Sequence, residues 1–370
     1  MTVTTPRRTA ALVPVALAAL FGLVGAGCSS SSKGTASTGT GSTVPPTTSV
    51  KLASATLNGS GSTFQQAYDQ AAIKAFTAKN SAVTINYGGG GSGKGLTDLL
   101  GKLVDFAGTD APIAQTDLPK YTGGVLYFPI VADPITVSYN LSGVSKLTLS
   151  APTIAKIFSG KITNWSDPAI GADNPGTKLP SKSITPAHRS DASGTTNNFT
   201  LYLTKAAASD WSLGSGKSVS WPGGQAGSGN AGVAQIVKTT DGAVGYVDYS
   251  DAKAAGLSFA SVVNSSGKAI DPSLDAASAA IAGATVNADL TYDPTNASGA
   301  AAYPITSPTW MVVYKNQPDK ARGDAVKAFL QYILTDGQGA TAKDNDFAPL
   351  SQDLDQKAVA QLAQIVIPSS

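Results

Sequence analysis

Residues 83–100 read VTINYGGGGSGKGLTDLL. Val83 to Tyr87 has the look of a strand, Gly88 to Gly95 is a glycine-rich turn, and Leu96, Leu99, Leu100 and Leu103 recur at helical spacing. Strand, tight loop and helix in succession form the repeating unit of an α/β fold. The loop, GGGGSGKG, falls one residue short of a nucleotide-binding P-loop. That pattern, G-x-x-x-x-G-K, then needs a Ser or Thr to place a hydroxyl on Mg²⁺, and Gly95 stands there instead. Three readings follow: a damaged ATP site, a flexible linker, or a loop built for another anion.

The same alternation runs through the chain. Thr63 to Asn80 places Phe64, Ala67, Tyr68, Ala71, Ala75 and Phe76 on one helical face. Pro134 to Tyr139, Gly245 to Tyr249 and Thr309 to Tyr314 are strand-like, and Pro152 to Phe158 is a short helix ending at Gly160. Helices are expected over Thr195 to Ala208, Ala231 to Val237 and Asp319 to Leu334, the last with Ala325, Phe329 and Ile333 inward. The fold class is α/β. The body of about 315 residues exceeds the size at which single cores stop growing, so two domains are expected.

Arg7 and Arg8 precede an apolar run from Ala10 to Ala26, an export-signal pattern over residues 1–27. The run is too short and too rich in Ala and Gly for a permanent span, which needs about 20 strongly apolar residues. Cys28, the only cysteine, follows Gly-Ala-Gly and resembles a bacterial lipobox cysteine, although Gly25 stands where such motifs prefer Leu or Val. The expectation is a lipidated Cys28 and, over 28–55, a Ser/Thr/Gly/Pro-rich tether that cannot bury enough apolar surface to order itself. The exported protein would then sit on the outer face of the cytoplasmic membrane.

Loss of residues 1–27 removes two of the 26 basic residues and no acid, leaving equal numbers of each sign. Broad attraction to nucleic acid is therefore not expected. All 24 acids are Asp, which excludes an H-E-x-x-H metalloprotease, and His188 is the only histidine, which excludes a multi-histidine metal site. No metal and no cofactor is expected.

Three segments share a Gly/Ser/Thr-rich turn where a helix begins: GSGST (Gly59 to Thr63), GGGGSG (Gly88 to Gly93) and RSDASGTT (Arg189 to Thr196). Glycine lets backbone N–H groups approach a ligand, hydroxyls donate, and helix N-termini carry partial positive charge. Each turn alone is an ordinary cap. Together they describe an oxyanion cradle of mostly neutral donors around one arginine.

The ordered set GSGSTF, NYGGGGSGKG, VDFAGTDAP, RSDASGTT and GAVGYVDY resembles the signatures of the bacterial periplasmic phosphate-binding proteins, the solute receptors of high-affinity phosphate ABC transporters. GKITNWSDPAI and AYPITSPTWMVVY are similar to that family's connecting segments, so the likeness runs from about Leu57 to the final helix. It implies a two-lobed clamshell of the periplasmic-binding-protein type (type II) with its ligand in the cleft. Lobe I would be residues 56–137 and 300–370, lobe II residues 138–299. It places inorganic phosphate on Thr63, Phe64 and Ser92 from one lobe, and on Arg189, Ser193, Gly194 and Thr195 from the other. Asp110 would be the one acceptor, and Asp191 would pair with Arg189. The implied partners are phosphate, the permease subunits of an importer, and a membrane through the lipid anchor, with the receptor itself a monomer. Gln65 stands where the family commonly has Pro and Ala192 where it commonly has Gly; neither supplies a ligand group in that scheme.

An acid facing an anion makes sense if the ligand brings a proton. Phosphate keeps one or two near neutral pH and sulfate none, so a carboxylate acceptor is satisfied by the first and left unpaired by the second. Sites built to pair a ligand hydroxyl reject analogues lacking it by about 10⁴–10⁵. As a turn acid before Pro112, Asp110 has an ordinary structural role as well. Two other functions remain to be weighed: a receptor for another oxyanion of the sulfate or molybdate class, and a secreted hydrolase using Ser193 or Ser92. The hydrolase lacks a G-x-S-x-G elbow, and its only base, His188, would face away from a cleft-lining Arg189 in an extended run. No catalytic residue is assigned. Trp165, Trp211, Trp221 and Trp310 read as core or lobe-surface residues.

Overall fold

The computed structural model describes residues 51–369; the signal segment, Cys28 and most of the tether lie outside them. The described chain opens with strand β1 (Ala55–Gly61), helix α1 (Gln66–Lys79), strand β2 (Val83–Gly88), helix α2 (Ser92–Leu100) and strand β3 (Phe106–Thr109). The long strand β4 (Val125–Tyr139) follows, then β5 (Thr148–Leu149) and helices α3 (Ala151–Phe158) and α4 (Pro168–Asp173). A second alternating run comprises β6 (Thr185–Arg189), α5 (Gly194–Ala206), β7 (Gln225–Gly227), α6 (Gly229–Thr239), β8 (Ala243–Asp248) and α7 (Tyr249–Ala254). Short strands β9 (Ser258–Phe259), β10 (Ser261–Val263) and β11 (Ala269–Ile270) lead to α8 (Leu274–Ala282). Strand β12 (Thr306–Tyr314) and helices α9 (Lys320–Leu334), α10 (Ala340–Asp344) and α11 (Gln352–Gln361) complete the chain.

The main sheet runs β2-β1-β3-β12-β4-β8-β6-β7, with β9 added beside β4. Strands β2, β1 and β3 are parallel to one another, as are β7, β6 and β8. Two antiparallel strands join these blocks. The front of β4, Val125 to Pro134, pairs with β12, and its end, Ile135 to Tyr139, pairs with β8. Every residue of β4 after Val125 is buried, as expected of a strand covered on both faces. Strands β5, β10 and β11 form a separate small sheet.

The core is largely aromatic. The Phe199 ring stacks on Tyr246 with centroids 4.4 Å apart, Phe158 meets Phe199 at 4.8 Å, and Phe76 meets Phe329 at 5.3 Å. Trp165 and Trp310 are fully buried, and their indole N–H groups donate to the carbonyls of Gly242 and Leu290, each at 3.0 Å. Both are core residues, as the sequence suggested.

Helix α9 starts one residue later than expected because Asp319 is its cap, accepting from the Arg322 N–H at 2.9 Å; Ala325, Phe329 and Ile333 face inward. Three expectations need correction. Helix α1 begins at Gln66, not Thr63, because the Phe64 N–H is held at 3.0 Å by the Ser62 hydroxyl in the preceding turn. Its buried stripe is Tyr68, Asp69, Ala72 and Phe76, while Ala67 is exposed: the large rings dock on Phe347 and Phe329 and set the roll of the helix. Leu103 lies beyond the end of α2 and is 72% exposed, so the leucine periodicity overran the helix by one turn.

Candidate functional site

The expected cradle residues lie just beyond the C-terminal ends of parallel strands, where open α/β sheets place their ligands. Thr63 and Phe64 follow β1, Ser92 opens α2 after β2, Asp110 follows β3, and Ser193 caps α5 after β6. Thus α2 and α5 both begin at this point, and their free N–H groups and dipoles favour negative charge there.

Hydrogen bonds tie these turns together. Ser92 Oγ donates to Asp110 Oδ2 at 3.2 Å, and accepts from the Asp110 and Gly194 N–H groups, each at 3.2 Å. The Gly93 N–H donates to the Ala192 carbonyl at 2.9 Å. Such proximity leaves no room for side chains. A Cβ on Gly194 would stand 2.5 Å from Ser92 Oγ and 2.6 Å from Asp110 Oδ2, and one on Gly91, whose φ is +91°, would stand 2.3 Å from Asp191 Oδ2.

Arg189 is the buried cation. Its Nε and Nη2 donate to the two carboxylate oxygens of Asp191 at 2.8 and 2.5 Å, a bidentate pair, and Nη1 reaches Thr195 Oγ1 at 3.3 Å. Asp191 also accepts from the Gly229 N–H at 3.0 Å. Burial opposes ionisation of Asp191, but the Arg189 guanidinium prevails and holds its carboxyl below the usual range. The pairing expected of Asp191 is present, and it fixes the guanidinium from behind.

Asp110 is 1% exposed. Its Oδ1 accepts from the Ser62 hydroxyl at 2.5 Å and lies 2.8 Å from Thr309 Oγ1. Burial pushes its pKa up to about 6, against the lowering effect of Ser62, Thr309, Arg189 and Ser92. The result is an acceptor poised near neutrality and placed among donors.

A family model described as a PBP superfamily domain matches residues 36–337. Phosphate-binding protein PstS 3 of Mycobacterium tuberculosis (strain H37Rv) is 37% identical over 311 residues, covering 80% of this chain and 83% of that protein. Phosphate-binding protein PstS of Xylella fastidiosa (strain 9a5c) is 36% identical over 322 residues, covering 85% and 86%. This chain belongs to the PstS family of phosphate-binding proteins. Its fold is that of periplasmic binding proteins. A phosphate-binding protein from Stenotrophomonas maltophilia superposes with a TM-score of 0.65 at 22% identity, covering 83% of this chain and 94% of that one. A high-affinity periplasmic phosphate-binding protein solved with phosphate bound at pH 8.5 gives 0.69 at 21% identity, with the same coverages.

Within this PstS-family chain the remaining sequence candidates separate cleanly. Lys94, the would-be P-loop lysine, is half exposed and pairs with Asp98 on its own helix. His188 stacks on Trp221, with centroids 5.2 Å apart, instead of meeting Ser193. The Ser193 hydroxyl accepts from the Thr196 N–H at 3.1 Å as a helix cap. Among the described residues no cluster of His, Cys or Asp could hold a metal.

Several residues of the site went unassigned from sequence. Ser62 lies inside the quoted GSGST turn and Thr309 inside the connecting segment, and nothing local in either stretch marks it as a partner of Asp110. The Asn198 amide donates to the Asp110 carbonyl at 2.6 Å and ties α5 to the β3 turn. Asn230 opens α6 from GSGN, Gly227 to Asn230, a fourth turn of the same composition; that signal was available.

Proposed function

We propose that this protein is an extracytoplasmic receptor that binds inorganic phosphate between two lobes and delivers it to an ABC-type importer. Lobe I comprises residues 56–137 and 300–370, and lobe II residues 138–299. In support, the sheet has two parallel blocks joined by β4 and β12, and the cradle draws on turns from both. Thr63 and Ser92 donate from lobe I, joined by the Phe64 N–H, which the ligand takes over from the Ser62 hydroxyl; Arg189, Ser193, Gly194 and Thr195 donate from lobe II. Asp110 accepts a ligand proton. The protein acts as a monomer, performs no catalysis, and is held to the outer face of the cytoplasmic membrane by a lipid on Cys28.

The observation that carries this reading is a buried carboxylate, Asp110, set among hydroxyls and N–H groups beside the buried Arg189. A site for a fully deprotonated oxyanion gains nothing from such an acceptor, which argues against the sulfate class. The test is transport. Deleting the chain should abolish high-affinity phosphate uptake by the cell, wild type should restore it and Arg189→Ala should not. Full uptake without the chain, or full restoration by Arg189→Ala, would overturn the assignment.

A further inference from the structure

Asn230 sits at the start of α6 with no exposed surface, and the amide contacts two of the hydroxyls assigned to phosphate. Its backbone N–H and its Nδ2 donate to Thr63 Oγ1 at 3.2 and 3.3 Å. Nδ2 also donates to Thr195 Oγ1 at 3.2 Å. These two threonines come from opposite sides of the cradle, after β1 and within α5.

The consequence is one of hydrogen direction. A hydroxyl has one proton and two acceptor lone pairs. Thr63 Oγ1 receives two N–H groups, both from Asn230. Thr195 Oγ1 also receives two, one from Asn230 and one from Arg189 Nη1 at 3.3 Å. Both oxygens are then filled as acceptors, and each proton must point elsewhere. An anion in the cradle is the acceptor those protons would meet. An amide that donates therefore fixes two hydroxyls as donors before any ligand arrives, so binding does not have to reorient them.

We propose that Asn230 is a positioning residue: its amide locks the Thr63 and Thr195 hydroxyls into the donor orientation and thereby selects an anionic ligand. This rests on the phosphate-receptor reading above. It differs from a packing role in what it predicts for Asp, which has nearly the shape of Asn. A carboxylate at 230 accepts, so it would draw both hydroxyl protons to itself and present lone pairs to the anion. Both hydroxyls stay paired, and the second carboxylate oxygen takes the place of Asn230 Oδ1, which has no partner in the wild type, so the shape is kept while the cradle is inverted. Alanine removes the amide without reversing either hydroxyl.

The experiment is titration calorimetry of phosphate on wild type, Asn230→Ala and Asn230→Asp, each also carrying Thr195→Val, with circular dichroism confirming the fold. Hydrogen bonds to charged groups contribute about 1.5–3 kcal/mol, so turning one hydroxyl away weakens binding by about 10- to 100-fold. Asn230→Asp is expected to lose at least about 100-fold and Asn230→Ala about 10-fold or less. In the Thr195→Val background one hydroxyl is no longer there to reverse, so the gap between the two variants should narrow by about 10-fold. Simple repulsion between Asp and phosphate predicts an unchanged gap, and a packing role predicts that Asp is milder than Ala; either result overturns the inference. Should Asn230→Asp fail to fold, the loss in Asn230→Ala must still shrink in the Thr195→Val protein, and an equal loss in both backgrounds overturns it. A wild-type protein that does not bind phosphate overturns instead the receptor reading on which the inference rests.

Discussion

Replacing Asp110 with Asn should remove a loss of stability that the unliganded protein suffers between acid and neutral pH, while damaging its selectivity. The carboxyl is buried, and burial raises its pKa from the ordinary 3.8 to about 6. With the folded pKa above the unfolded one, the native state binds more protons between these values. Stability is therefore fully present below about pH 4 and is lost as pH rises through about 6. Two pKa units correspond to about 3 kcal/mol, the cost of holding this carboxylate ionised at pH 7. An amide does not ionise. It keeps one acceptor oxygen for the Ser62 and Thr309 hydroxyls, but its NH₂ meets Ser92 Oγ, whose two lone pairs already take the Asp110 and Gly194 N–H groups; that mismatch costs the same at every pH and leaves the pH dependence intact. The stability of Asp110→Asn minus that of wild type should therefore grow by about 3 kcal/mol from pH 4 to pH 7. Denaturant unfolding at both pH values, without phosphate, reads the difference and cancels the other buried acids. Binding should shift in parallel. Phosphate affinity changes little because lost repulsion offsets a weaker acceptor, whereas sulfate gains because the amide can donate to it. A stability difference independent of pH, or an unchanged preference for phosphate over sulfate, would refute this reasoning.

Arg189→Ala is expected to weaken phosphate binding by about 2–5 kcal/mol because it removes a buried charge and leaves Asp191 unpaired. Lys94→Ala, at an exposed pair with Asp98, should change it by less than about 0.5 kcal/mol, and calorimetry of the two variants ranks them. Gly194→Ala puts a methyl 2.5 Å from Ser92 Oγ and should block assembly of the cradle; phosphate affinity should fall while thermal unfolding stays near wild type. Cys28→Ser should move the protein from the membrane fraction to a soluble pool or leave it uncleaved, as fractionation and mass measurement would show.

Much of the fold was legible because glycine and apolar periodicity mark strand–loop–helix units locally. In the β2–α2 unit the strand was legible to within a residue, and the turn was marked by Gly91 at φ +91°, but α2 starts at Ser92, inside the glycine-rich stretch, and ends at Leu100, before Leu103. Strand β4 was seen only from Pro134 on: its first half, VLYFPIVAD, is buried on both faces and carries no alternation to read. The turns of the site were legible for the same local reason. Their contacts with Thr309 and Asn198 were not, because those residues come to Asp110 from 199 and 88 positions away. Nor does any local pattern reveal Asp69, a buried acid in an otherwise apolar stripe. Its Oδ2 is held by Gln65 Nε2 at 2.9 Å, and burial pushes its pKa to about 8.

The central claim is that the cradle recognises an oxyanion that carries a proton, with Asp110 as its acceptor. Titration calorimetry of the wild-type protein with phosphate, arsenate and sulfate at neutral pH tests it most directly. Phosphate and arsenate, both protonated, should bind, and sulfate should give no measurable heat of binding. Sulfate binding as tight as phosphate binding would contradict the account and require the ligand to be reassigned.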